Sequence, residues 1–436
     1  MMEAFAIGIG DDYPKGLKRI RLLENTDKLI IEGVRLIDGT GAQPKEKISV
    51  VIEKGKVQSV QQAELTSDQR LGAEIISGID KTVIPGLMDC HVHLSGQATA
   101  SAYERYLDPP PQVQLLRAAN DAYDALASGF TTVRDAGTFG GVPIALRMAI
   151  SDKVIMGPRI YAAGDALSQS NGHGDWHVFP YSWVKDMQPR AWLVDGVDEC
   201  RKAVRLNFRQ GADLIKVFLA AGGVTNTPED LEAHPEFSLD ELRAIVDEAH
   251  RREKRVAAHV TGAPSVLHGL EAGVDTMEHG RIGPDEELLE KMSKAGVFLC
   301  PTLSIFYWIS TEGEKWGVFP GGIEAAKHAV EDQFKMVEKA KELGVKLASS
   351  SDSGSKFGRG NLAKELELMV EGGLTPVEAI VAATRTAAEC IGIEKTVGTI
   401  EEGKKADFLL VEGDPSKDIR ILQNREALLM VVKAPD

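Results

Sequence analysis

The run Asp89-Cys90-His91-Val92-His93 holds two histidines one residue apart. In a β-strand alternate side chains share a face, so both imidazoles point one way and Val92 the other. Two imidazoles on one face supply half of a divalent-metal site. Lys216, in Leu214-Ile215-Lys216-Val217-Phe218, shares its face with Leu214 and Phe218. Burial among such neighbours disfavours the ammonium and favours the free amine. A free amine combines with carbon dioxide to give a carbamate, whose two oxygens can bridge two metal ions; the alternative is an ion pair with a carboxylate across the fold. His259 closes Val256-Ala257-Ala258-His259, His279 stands in Met277-Glu278-His279-Gly280, and Asp352 follows three serines. Together these donors can hold two divalent cations that share a bridging ligand. Imidazole and carboxylate accept zinc, manganese, cobalt or iron; zinc is the expected metal, with carboxylation of Lys216 from carbon dioxide beside it.

Each of these residues falls near the end of a short apolar run. Eight such runs, VIPGLMDCHVH, FTTVRDAG, RIYAAGDAL, DLIKVFLAA, RVAAHVTG, DTMEHG, GVFLCPTL and KLASSSDS, alternate with amphipathic stretches. They recur roughly every 34 residues, the size of a βα unit. Helix signals lie between them: a capping box at Ser238–Glu241, stops at Ser128-Gly129 and Gly211, and Pro376 at a first turn. The pattern predicts an α/β fold, a (β/α)8 TIM barrel, with a doubly wound open sheet as the alternative. Such barrels carry their reactive groups at the C-terminal ends of the strands. Residues 27–61 and the stretches GTIEEGKKADFLLVEGDP and ALLMVVKA read as short strands. These two β-rich pieces pair into one small β-sandwich domain that the barrel interrupts. The expected division is 1–82 and 393–436 for the sandwich and 83–392 for the barrel.

The 436 residues carry 50 basic and 65 acidic side chains, a net charge of −15. That balance repels phosphate backbones and anionic lipid surfaces, so neither nucleic acid nor membrane is an expected partner. There is no long apolar run and no basic start followed by an apolar stretch. Cys90, Cys200, Cys300 and Cys390 are widely spaced, with no CxxC pair. Reduced thiols and a cytoplasmic location are expected, without a structural zinc knot.

The ordered set VIPGLMDCHVHL, FTTVRDAG, ALSQSNGHGD, ADLIKVFLAAGGV, AAHV, MEHG, SSSDSG and GTIEEGKKADFLLVEGDP resembles the amidohydrolase superfamily. It is most similar to the prolidase-like and ochratoxinase-like branch with a binuclear centre, related to imidazolonepropionase. The resemblance covers nearly the whole chain beyond about residue 27. It implies that His91 and His93 hold one metal, that His259 and His279 hold the other, and that carboxylated Lys216 bridges them. It further implies that Asp352 ligates the first metal and shuttles the proton, and that His173 contacts the substrate carbonyl. The implied reaction is attack of a metal-bridging hydroxide on a carbon–nitrogen bond of a small substrate, a dipeptide or N-acyl amino acid. A homo-oligomer is implied as well.

Two departures bear on the substrate. The strand-8 motif, commonly Gly-Thr-Asp, reads Ser350-Ser351-Asp352 here, and Val260-Thr261-Gly262 stands where prolidase-like relatives often place a ring. Thr261 can neither reach as far nor stack, so Tyr307, Trp308 and Trp316 are candidates to line an apolar pocket, or else pack between helices. Carbamate, urea or lactone hydrolysis on the same site is an alternative. A single-metal deaminase or imidazolone-type ring hydrolase is another, and Lys216 argues against it. A non-catalytic scaffold ranks last because all six donors are present.

Overall fold

The computed structural model describes residues 19–62, 64–94, 111–175, 180, 182, 191–220, 235–318, 320–354 and 360–435. Its larger part is the α/β barrel. We number the barrel strands β1 (Leu87–Val92), β2 (Phe130–Asp135), β3 (Arg159–Ala162, resuming at Ala166–Ser168), β4 (Ile215–Phe218), β5 (Val256–Thr261), β6 (Thr276–Gly280), β7 (Phe298–Cys300) and β8 (Lys346–Leu347). All neighbouring pairs are parallel. β1 and β2 are buried along their whole length, as expected of strands covered on both faces. The barrel closes beyond β8, where Cys90 N–H donates to the Ser349 carbonyl at 2.8 Å and Asp352 N–H to the His91 carbonyl at 2.8 Å.

The eight apolar runs of the sequence correspond to these strands, with one difference. RIYAAGDAL does not continue as a single strand, because Gly164 turns left-handed (φ 70°) and Asp165 N–H bonds the Asn207 side chain. The helix signals sit at real helix ends. Ser238 and Glu241 cap each other at the start of Leu239–His250, and Gly211 ends Val197–Gln210 with φ 104°, a conformation that favours glycine.

Both ends of the chain build the small domain. Its strands run in the order Ile20–Leu22, Leu428–Lys433, Phe408–Glu412, Lys81–Pro85, Lys28–Leu36, Lys45–Glu53, Lys56–Gln61, with Glu74–Ser77 also pairing Lys28–Leu36. Leu29, Ile31, Val83, Phe408, Leu410 and Val432 share one core, while Ile30 and Val51 face another. Lys81–Pro85 pairs with Phe408–Glu412, so this sheet holds the chain up to Pro85 and the barrel starts at Leu87. Gly86 is the joint. A Cβ there would stand 2.2 Å from Thr131 Oγ1, which leaves room for no other residue.

Three of the four widely spaced cysteines meet. Cys90, Cys300 and Cys390 share a buried cluster, with Cys300 Sγ 4.0 Å from Cys390 Sγ; none forms a disulfide. Among the described residues no helix is long and apolar enough to cross a membrane.

Candidate metal centre

The six donors singled out in the sequence come together at the C-terminal ends of β1, β4, β5, β6 and β8. His91, His93 and Asp352 each offer an atom within 4.8 Å of the others', and Asp352 Oδ1 lies 3.2 Å from His93 Nε2 and 3.6 Å from His91 Nε2. The rings then follow one another around the barrel mouth. His91 is 5.2 Å from His93 and 5.1 Å from His279 between centroids, and His279 is 4.5 Å from His259. His173 stacks on His259 at 4.4 Å and 25°. Lys216, fully buried, rises from the middle of β4 beside β5.

Groups behind the donors set their orientation. Glu278 Oε2 accepts from His91 Nδ1 at 2.6 Å, the Gly137 carbonyl from His93 Nδ1 at 3.1 Å, and Thr302 Oγ1 lies 2.7 Å from His279 Nδ1. Each contact occupies Nδ1 and leaves Nε2 to face the centre, the arrangement in which a second partner fixes the tautomer of a ligating histidine. Glu278 is itself held by Arg134 Nη2 at 2.7 Å and by the Thr276 hydroxyl. Arg134 therefore does not pair with its neighbour Asp135. The two alternate to opposite sides of β2, and Asp135 instead accepts from Leu94 N–H, Gly137 N–H and the Thr138 hydroxyl. Glu278→Gln is expected to weaken metal binding about 10- to 100-fold, read by titrating the apo protein with zinc against a competing chelator. Unchanged affinity would remove Glu278 from the metal-binding apparatus.

Backbone conformation adds to this. His279 (φ 70°), Thr302 (φ 52°) and Asp352 (φ 52°) are left-handed, a state that costs non-glycine residues of order 1–3 kcal/mol and gathers at functional sites. The surroundings hold it in place. Gln333 Nε2 donates to the His279 carbonyl at 3.2 Å and the Pro301 carbonyl at 2.8 Å. Glu365 accepts the N–H groups of Leu303 (2.9 Å) and Ser304 (2.7 Å), anchoring the helix Leu303–Glu312 that begins just after Thr302.

The electrostatics suit cations. Burial lowers Lys216 to about 8 and His279 to about 3, and it holds His91 and His259 well below the ordinary imidazole value. Burial opposes ionisation of Asp352, but His91, His93 and His279 outweigh it and keep the carboxyl below its usual range. His93 runs the other way: burial disfavours its charged form, but the Asp352 carboxylate outweighs burial and raises it. Three imidazoles held neutral, a fourth paired with an ionised carboxylate, and an amine lowered toward neutrality make a metal-ligating set. His259 Nε2 is buried and has no hydrogen-bond partner among the described residues, an omission that native interiors rarely tolerate and that a coordinated cation corrects. The residues fit divalent metal.

The loop after β3 reaches this centre, carrying His173 on to His259 and to 4.8 Å from the Phe218 ring. Its anchor is Glu236, which accepts His173 N–H at 2.6 Å and the Ser168 hydroxyl at 2.9 Å and is raised to about 7 by burial. A Cβ on Gly172 would meet Glu236 Oε2 at 2.1 Å. The aromatic segment is arranged differently from the pocket-lining expectation. Trp308 and Trp316 pack on Ile309 and Ala326, and the Lys364 ammonium lies over Tyr307 at 4.3 Å. Phe306 is the ring that meets His279, edge to face at 6.4 Å. Gly222, Gly223, His177 and His234 lie outside the described residues, whereas His250 pairs with Asp275 and His328 is exposed on the helix Pro320–Glu342.

Comparison with known proteins gives a consistent pattern. A model described as the amidohydrolase family matches residues 82–434. Ochratoxinase from Aspergillus niger is 34% identical over 367 residues, which span 80% of this chain and 74% of that protein. The crystal structure of an Xaa-Pro dipeptidase with methionine bound in its active site has a TM-score of 0.81 at 33% identity, covering 91% of this chain and 97% of that one. The crystal structure of A. niger ochratoxinase also scores 0.81, at 30% identity, over 93% and 94% of the two chains.

Proposed function

The chain belongs to the amidohydrolase family, and on that premise we propose that it cleaves the amide bond of a small N-acyl amino acid or dipeptide at a centre of two divalent cations, zinc by preference. Within the family it stands in the ochratoxinase and prolidase-like branch, whose hydrolases act on carbon–nitrogen bonds. The observation that carries the reading is the convergence of His91, His93 and Asp352 with His259, His279 and buried Lys216 on one spot. A neighbour that holds methionine supports an amide whose leaving group is an amino acid.

In this reading His91, His93 and Asp352 would hold one cation and His259 and His279 the other, with Lys216, as its carbamate, a ligand to both. Cations held there would make water more acidic and would polarise the scissile carbonyl. Asp352 accepts the proton released as water adds and delivers it to the departing nitrogen, base first and acid second. The His173 ring donates to the carbonyl oxygen as negative charge grows there. Phe218 and Phe306 wall the mouth on two sides.

The test is metal content per chain, measured on protein purified with bicarbonate, together with free-amine release from dipeptides, N-acyl amino acids and aryl carbamates. Two ions and a free amino acid are expected. One ion with no amide turned over overturns the reading.

A further inference from the structure

Beyond His279 the chain makes a turn that none of the roles above employs. His279, Gly280 and Arg281 follow one another with φ of 70°, 75° and 48°, and Arg281 N–H donates to the His279 carbonyl at 3.0 Å. Left-handed backbone at two non-glycine residues on either side of a glycine is unfavourable unless the surroundings impose it. Gln333 does so by gripping the His279 carbonyl, as does the packing of Leu299 and Met336 against Gly280, within 3.5 Å of where a Cβ would stand. The turn lays the Arg281 guanidinium over the Phe306 ring, 5.4 Å from its centroid, and the same ring meets His279. A fixed positive charge therefore stands one aromatic ring away from the centre.

Among the described residues that charge has no counter-ion. Arg281 is partly buried, yet among the described residues its side chain makes no ion pair and no hydrogen bond. Asp332, the carboxylate whose charge it feels, is exposed and pairs with Lys335 at 3.4 Å. A desolvated guanidinium is expensive until an anion joins it, and its planar fork matches a carboxylate in two parallel hydrogen bonds. In an amide whose leaving group is an α-amino acid, the free carboxylate lies about one residue, roughly 3.6 Å of extended chain, beyond the scissile nitrogen.

We propose that Arg281 is the specificity-determining residue that receives the free carboxylate of the leaving amino acid, so that the enzyme selects N-acyl amino acids and dipeptides over amides that lack this charge. The inference rests on the amide-hydrolase reading and names its substrate class.

The experiment compares hydrolysis of N-acetyl-L-phenylalanine and of its C-terminal amide by the metal-loaded wild type, Arg281→Met and Arg281→Lys. The wild type is expected to prefer the acid by about 100-fold in kcat/KM, the scale of a charged hydrogen-bonded pair. Arg281→Met should collapse that preference to within about 3-fold, chiefly through KM, and Arg281→Lys should restore part of it. Equal losses on acid and amide would show that Arg281 only packs against Phe306, and would overturn the inference while leaving the hydrolase reading intact. A second measurement separates the opposite failure: calorimetric binding of L-phenylalanine and L-phenylalaninamide needs no turnover. Arg281-dependent preference for the acid there, with no amide hydrolysed, upholds Arg281 and sinks the hydrolase reading.

Discussion

Lys216→Ala is expected to take up one divalent ion per chain or fewer and to lose about 10³-fold or more in kcat/KM, the equivalent of the several kcal/mol that a Lewis-acid ion contributes. The reason lies in what surrounds the amine. Lys216 is fully buried at the level of Ala257 in β5, and burial brings it to about 8, so an appreciable share is neutral near physiological pH and open to carbon dioxide. Carbamate formation turns that neutral amine into an anion, which cations held by the neighbouring imidazoles would bind. Protein equilibrated with ¹³C-bicarbonate should show a carbamate carbon that the variant lacks, and circular dichroism should show both folded. Two ions and full activity in Lys216→Ala would end the bridging role, and a variant that fails to fold would be replaced by Lys216→Met, which keeps the volume.

Asp352→Asn should lower kcat by about 10²- to 10⁴-fold, the range for a positioned general acid–base. Its oxygen lies 3.2 Å from His93 and 3.6 Å from His91, so metal loading must be measured alongside and rates compared at saturating metal. If Asp352 protonates the leaving nitrogen, a series of anilides of decreasing amine basicity should discriminate. The variant should recover most of the lost rate on the poorest bases, which need no proton to leave. A uniform loss across the series would confine Asp352 to holding metal.

The barrel was legible because its strands are buried on both faces and read as apolar runs, and because six candidate donors, weak singly, fall at the ends of those runs. The supports behind the donors were harder to see. Strand alternation puts Glu278 and His279 on opposite faces, yet both serve the centre, since His279 turns left-handed at the end of β6 and a period of two does not register a change of φ. Arg134 stands next to Asp135 in the sequence, but the carboxylate it pairs with is 144 residues away, a pairing that only the closed barrel creates. Glu236 and Glu365 gave no local signal. Each caps backbone N–H groups of a segment more than sixty residues earlier. The aromatic run after β7 was readable as rings but not as orientations; the helix turns Phe306 to the centre and Trp308 away.

The interlacing of the two ends carries a consequence for how the molecule is made. The hairpin Lys28–Leu36 with Lys45–Glu53 can form early in synthesis. Its sheet stays open on the Lys81–Pro85 side until Phe408–Glu412 emerges, and Ile20–Leu22 waits for Leu428–Lys433. Closing a loop of more than three hundred residues by chance is slow, and contacts so distant in sequence delay folding. A barrel already closed shortens that search, since it holds Met88 N–H 2.7 Å from the Ala383 carbonyl and so returns the chain beside its own first strand. The nascent chain thus spends most of its synthesis with an unpaired, β-branched edge on show, the kind of surface that invites association with other chains.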